Sequence, residues 1–128
     1  MIDYRFSIPG ELKVRGYCRD LTEYVTNKQL TDEELWKLFV NQYKIRSDKN
    51  GEWKGEFWGK TMRGACLTYM SDKNERLYKV LVSTINDMLS AQEKSGRIST
   101  YAVDIEFNGW DMWCRKYVML GMLYFLSI

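Results

Sequence analysis

The sequence predicts a mainly α-helical protein, and three observations support this fold class. Apolar residues recur at helical spacing through most of the chain from Tyr17 onward. Two capping-box patterns, Thr31 to Glu34 and Asp72 to Glu75, precede such stretches, as they do at helix starts. The 128 residues are 45% hydrophobic and contain a single proline, which is enough apolar material for one core. We therefore expect one helical domain.

The first elements of the chain differ in their periodicity. Residues 1–16 alternate in hydrophobicity on either side of Pro9 and Gly10, so they predict a short extended lead-in. From Tyr17 the period becomes helical, and residues 17–128 form the predicted helical region. Thr31 is the predicted N-cap of the second helix.

The third and fourth predicted helices follow a polar loop. The third begins near Glu56 and ends near Ser71, and Gly59 and Gly64 leave room for a neighbouring backbone. The fourth opens at a capping box and stops at Gly96. Its apolar stripe lies opposite a polar face and comprises Leu77, Leu81, Ile85, Met88 and Leu89.

The fifth predicted helix begins near Trp110 and is apolar almost all round from Tyr117. Such a helix needs cover on every side, and too few elements precede it to supply that cover. We expect the cover to come from a missing C-terminal half or from self-association. The apolar run 117–128 is shorter than the roughly 20 residues that a membrane span needs, so we expect no membrane partner.

Composition narrows the function classes. The net charge is +2 with both signs mixed along the chain, which does not predict a nucleic-acid partner. Cys18, Cys66 and Cys114 are far apart and histidine is lacking, so we expect reduced packing cysteines and neither a metal site nor a cofactor in this chain. The first residues lead into no apolar segment of a secretory signal, so the chain as given is expected to be cytoplasmic.

Two short motifs combine tryptophan with a carboxylate at predicted helix starts. They read Gly-Glu-Phe-Trp-Gly-Lys at 55–60 and Gly-Trp-Asp-Met-Trp-Cys-Arg-Lys-Tyr at 109–117. Indole faces cover the apolar face of a sugar ring, and carboxylates accept its hydroxyl hydrogens. The predicted sugar-binding residues are Glu56, Trp58, Tyr101, Trp110 and Asp111. The competing interpretation is that the acids favour helix N-termini and the tryptophans pack in the core.

Four stretches of the chain resemble the N-terminal part of glycoside hydrolase family 127, the β-L-arabinofuranosidase-like enzymes. Residues 9–17 are similar to the segment that leads into the family's first helix, and 55–69 to the next inner helix. Residues 91–101 resemble the family's return motif, which 110–123 continues. The resemblance implies that 17–128 is part of an (α/α)6 barrel of six helical hairpins. A complete barrel needs on the order of 300–400 residues.

The resemblance implies a hydrolase of arabinofuranosyl or related plant-type glycans, in which this chain forms one wall of the sugar cleft. The family's catalytic cysteine, acid/base glutamate and zinc ligands would lie in a missing C-terminal half. The catalytic residues are thus not identified in this chain, zinc is implied only for the complete enzyme, and the isolated chain is expected to be inactive. Many members also carry two histidines in a His-Glu-Leu-Tyr-Cys-x-x-His-like stretch, where this chain has Trp110 and Tyr117.

Two alternatives remain open at the level of sequence. The first is a non-catalytic helical module for carbohydrate binding or assembly, left by a truncated gene. The second is part of another six-hairpin glycosidase. An unsaturated glucuronyl hydrolase is an example of the latter, and Asp111 would then be the catalytic acid.

Overall fold

Five α-helices contain most of the residues that the computed structural model describes, which are 8 and 10–128. The helices are α1 (Tyr17–Val25), α2 (Glu33–Ile45), α3 (Glu56–Asp72), α4 (Glu75–Ser90) and α5 (Asp111–Leu126). A π-helical turn, Thr26–Leu30, continues α1, and a 3-10 turn, Val103–Ile105, precedes α5. Extended pairing within the described ranges is limited to an isolated bridge between Asp48 and Tyr101. The mainly α-helical prediction is confirmed.

The predicted lead-in is covered only in part, because residues 1–7 and 9 lie outside the described residues. Gly10 has a φ of 91° in a turn in which the Glu11 N–H donates to the carbonyl of Ile8, 3.0 Å away. Residues 13–15 form irregular chain instead of a strand. Helix α1 then begins at Tyr17, where the period change predicts it.

Both predicted N-caps were wrong by one or two residues. Asp32 caps α2, because its carboxylate accepts from the first free backbone N–H groups, while the Thr31 hydroxyl donates back to the carbonyl of Asn27 at 3.1 Å. Asn74 caps α4, because its side chain accepts a hydrogen bond from the backbone N–H of Leu77, whereas Asp72 is the last residue of α3. The capping-box patterns located the helix starts but not the capping side chain.

Helix α4 buries a slightly different face from the one predicted. Leu77, Leu81 and Met88 are fully buried, as expected. Leu89 is instead 47% exposed, and Val80 and Thr84 take part in the core. The helix ends at Ser90, ahead of the predicted stop at Gly96, which lies in a later turn with a φ of 88°.

Helices α3 and α5 cross at two glycines. An ideal Cβ placed on Gly59 would overlap the backbone carbonyl of Tyr117, and one on Gly121 would lie 3.1 Å from the Cα of Gly59. Glycine at these positions lets the two backbones approach closely. Gly64, in contrast, has open space around it, so the predicted close approach occurs at only one of the two α3 glycines. The crossing sets the start of α3 beside the start of α5.

The core lies where α3 meets α2 and α4. Its largest fully buried side chains include Trp36, Tyr43, Trp58, Met62, Leu77, Leu81 and Met88. Helix α5 covers this core with Val118 and leaves an exposed apolar face formed by Met119, Leu123 and Leu126. None of the described helices combines the length and hydropathy required to cross a membrane.

Candidate functional site

A groove of about 240 Å³ lies where α3 and α5 begin, and its lining is almost entirely aromatic. Trp53, Glu56, Trp110 and Trp113 form its walls, and we call it the indole groove. Three larger grooves, of about 690, 730 and 400 Å³, lie between α2 and α4, beside the lead-in, and at the start of α2. Their linings are mixed and lack a pair of tryptophans, so the indole groove has the more specific chemistry.

Glu56 supplies the carboxylate of the groove. It accepts hydrogen bonds from Lys60 Nζ at 2.7 Å and from the indole N–H of Trp113 at 2.5 Å. Desolvation by itself would raise the pKa of Glu56, but these two hydrogen bonds, together with the positive charges of Lys60 and Lys116, outweigh it and hold the pKa below its usual value. The side chain keeps only 12% of its accessible surface. Glu56 is therefore a fixed, ionised acceptor at neutral pH.

The tryptophans of the groove differ in how much of their rings is available. Trp53 and Trp110 are 49% and 47% exposed. Trp113 packs edge-on against Trp110, with ring centroids 5.8 Å apart, and Lys116 Nζ lies 3.4 Å from the centroid of the Trp113 ring. The Lys116 ammonium therefore covers one face of Trp113. Trp53 and Trp110 offer the open aromatic surfaces against which a ligand can stack.

Asp111 lies behind the groove and is fully buried. Its Oδ1 accepts from Ser99 Oγ at 2.5 Å and Arg115 Nε at 3.0 Å. Its Oδ2 accepts from the Phe107 N–H at 2.9 Å and Arg115 Nη2 at 2.7 Å. Burial opposes ionisation, but these donors outweigh it and lower the pKa of Asp111. The carboxylate is an ionised internal anchor that holds the 99–107 segment against α5.

The Asp111–Arg115 pair continues into a row of alternating charges that fastens the segment after α4. Arg115 also donates to Glu106 at 2.5 Å, and Glu106 accepts from Arg97 at 3.0 Å. Arg97 in turn donates to Glu93 at 2.6 Å. The hydrogen bond from Arg115 outweighs desolvation and is the main cause of the lowered pKa of Glu106. These ion pairs hold in place the stretch of backbone that contains Trp110.

Tyr101 and Trp58, both predicted to contact sugar, are fully buried. The Tyr101 hydroxyl donates to the carbonyl of Glu52 and accepts from the Trp110 N–H at 3.2 Å, so Tyr101 supports the groove from behind. The indole N–H of Trp58 donates to Thr84 Oγ1 at 2.9 Å inside the core.

Of the five predicted binding residues, Glu56 and Trp110 line the groove, whereas the side chains of Trp58, Tyr101 and Asp111 do not reach its surface. The structure adds Trp113, which belongs to the second motif, and Trp53. Trp53 lies in a polar loop before the predicted third helix. The signal that marks it in the sequence is its large aromatic side chain at a position outside any predicted helix.

The buried cysteines are packing residues in this structure. Burial raises the pKa of the Cys66 and Cys114 thiols to about 12, so both are neutral at physiological pH. Cys18 is exposed. Residues 8 and 10–128 contain no group of three or more histidine, cysteine, aspartate or glutamate side chains that could hold a metal ion.

The chain matches no family model, no curated protein and no solved structure.

Proposed function

We propose that this chain forms one wall of the sugar cleft of a glycoside hydrolase acting on arabinofuranosyl or related plant-type glycans. In this proposal the helices are part of an (α/α)6 barrel, as the family 127 resemblance implies. The observation that carries the proposal is the indole groove, in which half-exposed tryptophans flank an ionised carboxylate. The sequence motifs at 55–60 and 109–117 supply Glu56, Trp110 and Trp113, and the loop before α3 supplies Trp53.

The chemistry of the groove suits a sugar. The open ring surfaces of Trp53 and Trp110 match the apolar C–H face of a furanose or pyranose. The Glu56 carboxylate, held by Lys60, accepts hydroxyl hydrogens without a cost of reorientation. A volume of 240 Å³ is below the ~300–1,000 Å³ that is typical of drug-sized ligands. The groove thus fits one sugar unit of a longer glycan.

The proton donor is not assigned to this chain. Glu56 and Asp111 both have lowered pKa values, and a general acid needs a pKa near the working pH. The proposal therefore assigns the acid, the nucleophilic thiolate and the zinc of the complete enzyme to further polypeptide. The apolar face of α5 supports this assignment, since exposed apolar patches usually mark an interaction surface.

Of the two alternative functions, the glucuronyl hydrolase fits the structure less well, and the carbohydrate-binding module needs the same groove. A glucuronyl hydrolase with Asp111 as its acid is disfavoured, because all four hydrogen bonds to that carboxylate come from the protein itself. A non-catalytic carbohydrate-binding module would use the same indole groove. Hydrolysis of an arabinofuranoside by the complete polypeptide separates the module from the enzyme.

The proposal is tested by titrating the purified protein with an arabinofuranosyl oligosaccharide, using tryptophan fluorescence and calorimetry. Trp110→Ala is expected to weaken binding about tenfold, because it removes an open stacking surface worth ~0.5–1.5 kcal/mol beyond its buried area. Tyr24→Ala is the matched control, since Tyr24 is an exposed aromatic residue on α1, outside the groove. Binding that is absent in the unmodified protein, or unaffected by Trp110→Ala, contradicts the proposal.

A further inference from the structure

The rim of the indole groove carries one more positive charge than its own carboxylate neutralises. Lys60 pairs with Glu56 at 2.7 Å. Lys116 forms no ion pair with any residue that the structure describes, and its ammonium lies over the rings of Trp113 and Tyr117, at 3.4 and 4.3 Å from their centroids. Cation–π contacts hold an ammonium in place without removing its charge.

The other acidic groups around the groove already have partners. Asp111 is paired with Arg115, and Glu52 with Lys54 at 2.9 Å. Asp48 is buried and accepts from Thr100 Oγ1 at 2.6 Å. Lys116 thus remains an exposed, positioned cation with three hydrogen-bond donors beside an aromatic sugar platform.

We propose that this rim selects acidic glycans, and that Lys116 binds the carboxylate of a uronic acid unit. This inference rests on the proposed function, since it assumes that a sugar stacks in the indole groove. Lys116 Nζ lies over the ring of Trp113, whose centroid is 5.8 Å from that of Trp110. The acidic sugar unit is therefore the neighbour of the sugar unit that stacks on Trp110. The groove recognises both, the first by its charge and the second by its apolar face.

The test uses two ligands with the same sugar backbone, an oligogalacturonide and its fully methyl-esterified form, in which each carboxylate is replaced by a neutral methyl ester. Calorimetry on the unmodified protein is expected to show about two- to fivefold tighter binding of the acidic form, as one partly exposed ion pair provides. The preference should shrink as salt is raised from 20 to about 500 mM, because screening weakens exposed pairs.

Three variants locate the effect. Lys116→Met keeps the length of the side chain and is expected to abolish the preference, whereas Lys116→Arg is expected to retain it. Lys79→Met is the matched control, because it removes the same charge from an exposed position near the start of α4. That position is at the far end of α3 from the groove, about 25 Å along the helix. Circular dichroism verifies that each variant is folded.

The outcomes separate the two proposals. Equal binding of both ligands, or a preference that survives Lys116→Met, overturns the acidic-glycan inference. If the neutral ester or an arabinofuranosyl oligosaccharide still binds in those cases, the proposed sugar-binding function stands. If the unmodified protein binds no sugar of any of the three kinds, both proposals are wrong.

Discussion

Helices α3 and α5 both begin with a carboxylate and a tryptophan, yet they place them in opposite ways. The start of α3 directs the acid, Glu56, to the indole groove and buries the indole of Trp58. The start of α5 buries the acid, Asp111, and presents the indole of Trp110. The indole groove thus combines the acid of α3 with the tryptophans of α5 and of the loop before α3.

The inversion has a physical cause at each helix. Glu56 and Trp58 are two positions apart, about 200° around the helix, so burying one turns the other outward. The core offers Trp58 a hydrogen-bond acceptor in Thr84 but offers Glu56 no cation. At α5 a cation is available, since Arg115, whose side chain is only 18% exposed, lies one turn after Asp111 and pairs with it at 2.7 Å. A buried partner, and not the residue type, decides which side chain turns inward.

The largest expected effect comes from removing the buried acid. Asp111→Asn leaves the Arg115 guanidinium with Glu106 as its remaining acidic partner, and loss of one member of a buried ion pair typically costs ~3–5 kcal/mol. We expect the free energy of unfolding to fall by about 3 kcal/mol in urea titrations. Glu56→Gln is the matched variant at the other helix start. Its partner Lys60 is 43% exposed, and pairs with an exposed member contribute only ~0.2–1 kcal/mol. Similar losses in the two variants would show that the acids are equivalent after all.

The second effect tests the helix crossing that brings the two starts together. Gly59→Ala places a methyl group into the backbone of α5 at Tyr117, and overpacking of this kind costs ~1–3 kcal/mol. We expect a loss of about 2–3 kcal/mol, measured by thermal or urea unfolding. Gly64→Ala, in the same helix but in open space, is expected to stabilise by about 0.5–1 kcal/mol through helix propensity. A tolerated Gly59→Ala would mean that the groove does not depend on close approach of α3 and α5.

The sequence predicted the helical elements well and the placement of side chains less well. Helical spacing and glycines located α3 and α5 within a residue or two, because local periodicity controls these features. In α4 the predicted core residue Leu89 is exposed and the unpredicted Val80 is buried, because the buried face depends on how the neighbouring helices pack around it.

The site residues also divide into those that local sequence predicts and those whose placement depends on other parts of the structure. Glu56 and Trp110 were predicted from motifs at helix starts and do line the groove. Trp58, Tyr101 and Asp111 carry the same residue types, but their burial depends on Thr84, Glu52 and Arg115. Two of these three partners lie far from them in the chain. Trp53 was missed because an isolated aromatic residue in a loop has no periodic signal.

The smallest effect is the pH dependence of stability, which sharpens the contrast between the two acids. The pKa of Asp111 is lower in the folded protein than the ~3.9 of an unfolded aspartate, so the unfolded chain binds the proton more tightly. Its stabilisation is present above about pH 4 and is lost as the pH falls through the lowered folded value. One such group changes the free energy of unfolding by at most ~1.4 kcal/mol per pH unit.

Urea midpoints measured between pH 5 and 3 should therefore fall less steeply for Asp111→Asn than for the unmodified protein. Glu93 and Glu106 also have lowered pKa values, Glu93 chiefly through its hydrogen bond from Arg97, so both proteins lose stability in acid. The difference between the two slopes isolates Asp111. Glu56 has a lowered pKa as well, but it lies at the surface of the groove, so Glu56→Gln should change the slope less than Asp111→Asn does. If the two variants flatten the curve equally, burial does not distinguish the acids, and the division into one anchoring and one binding carboxylate is lost.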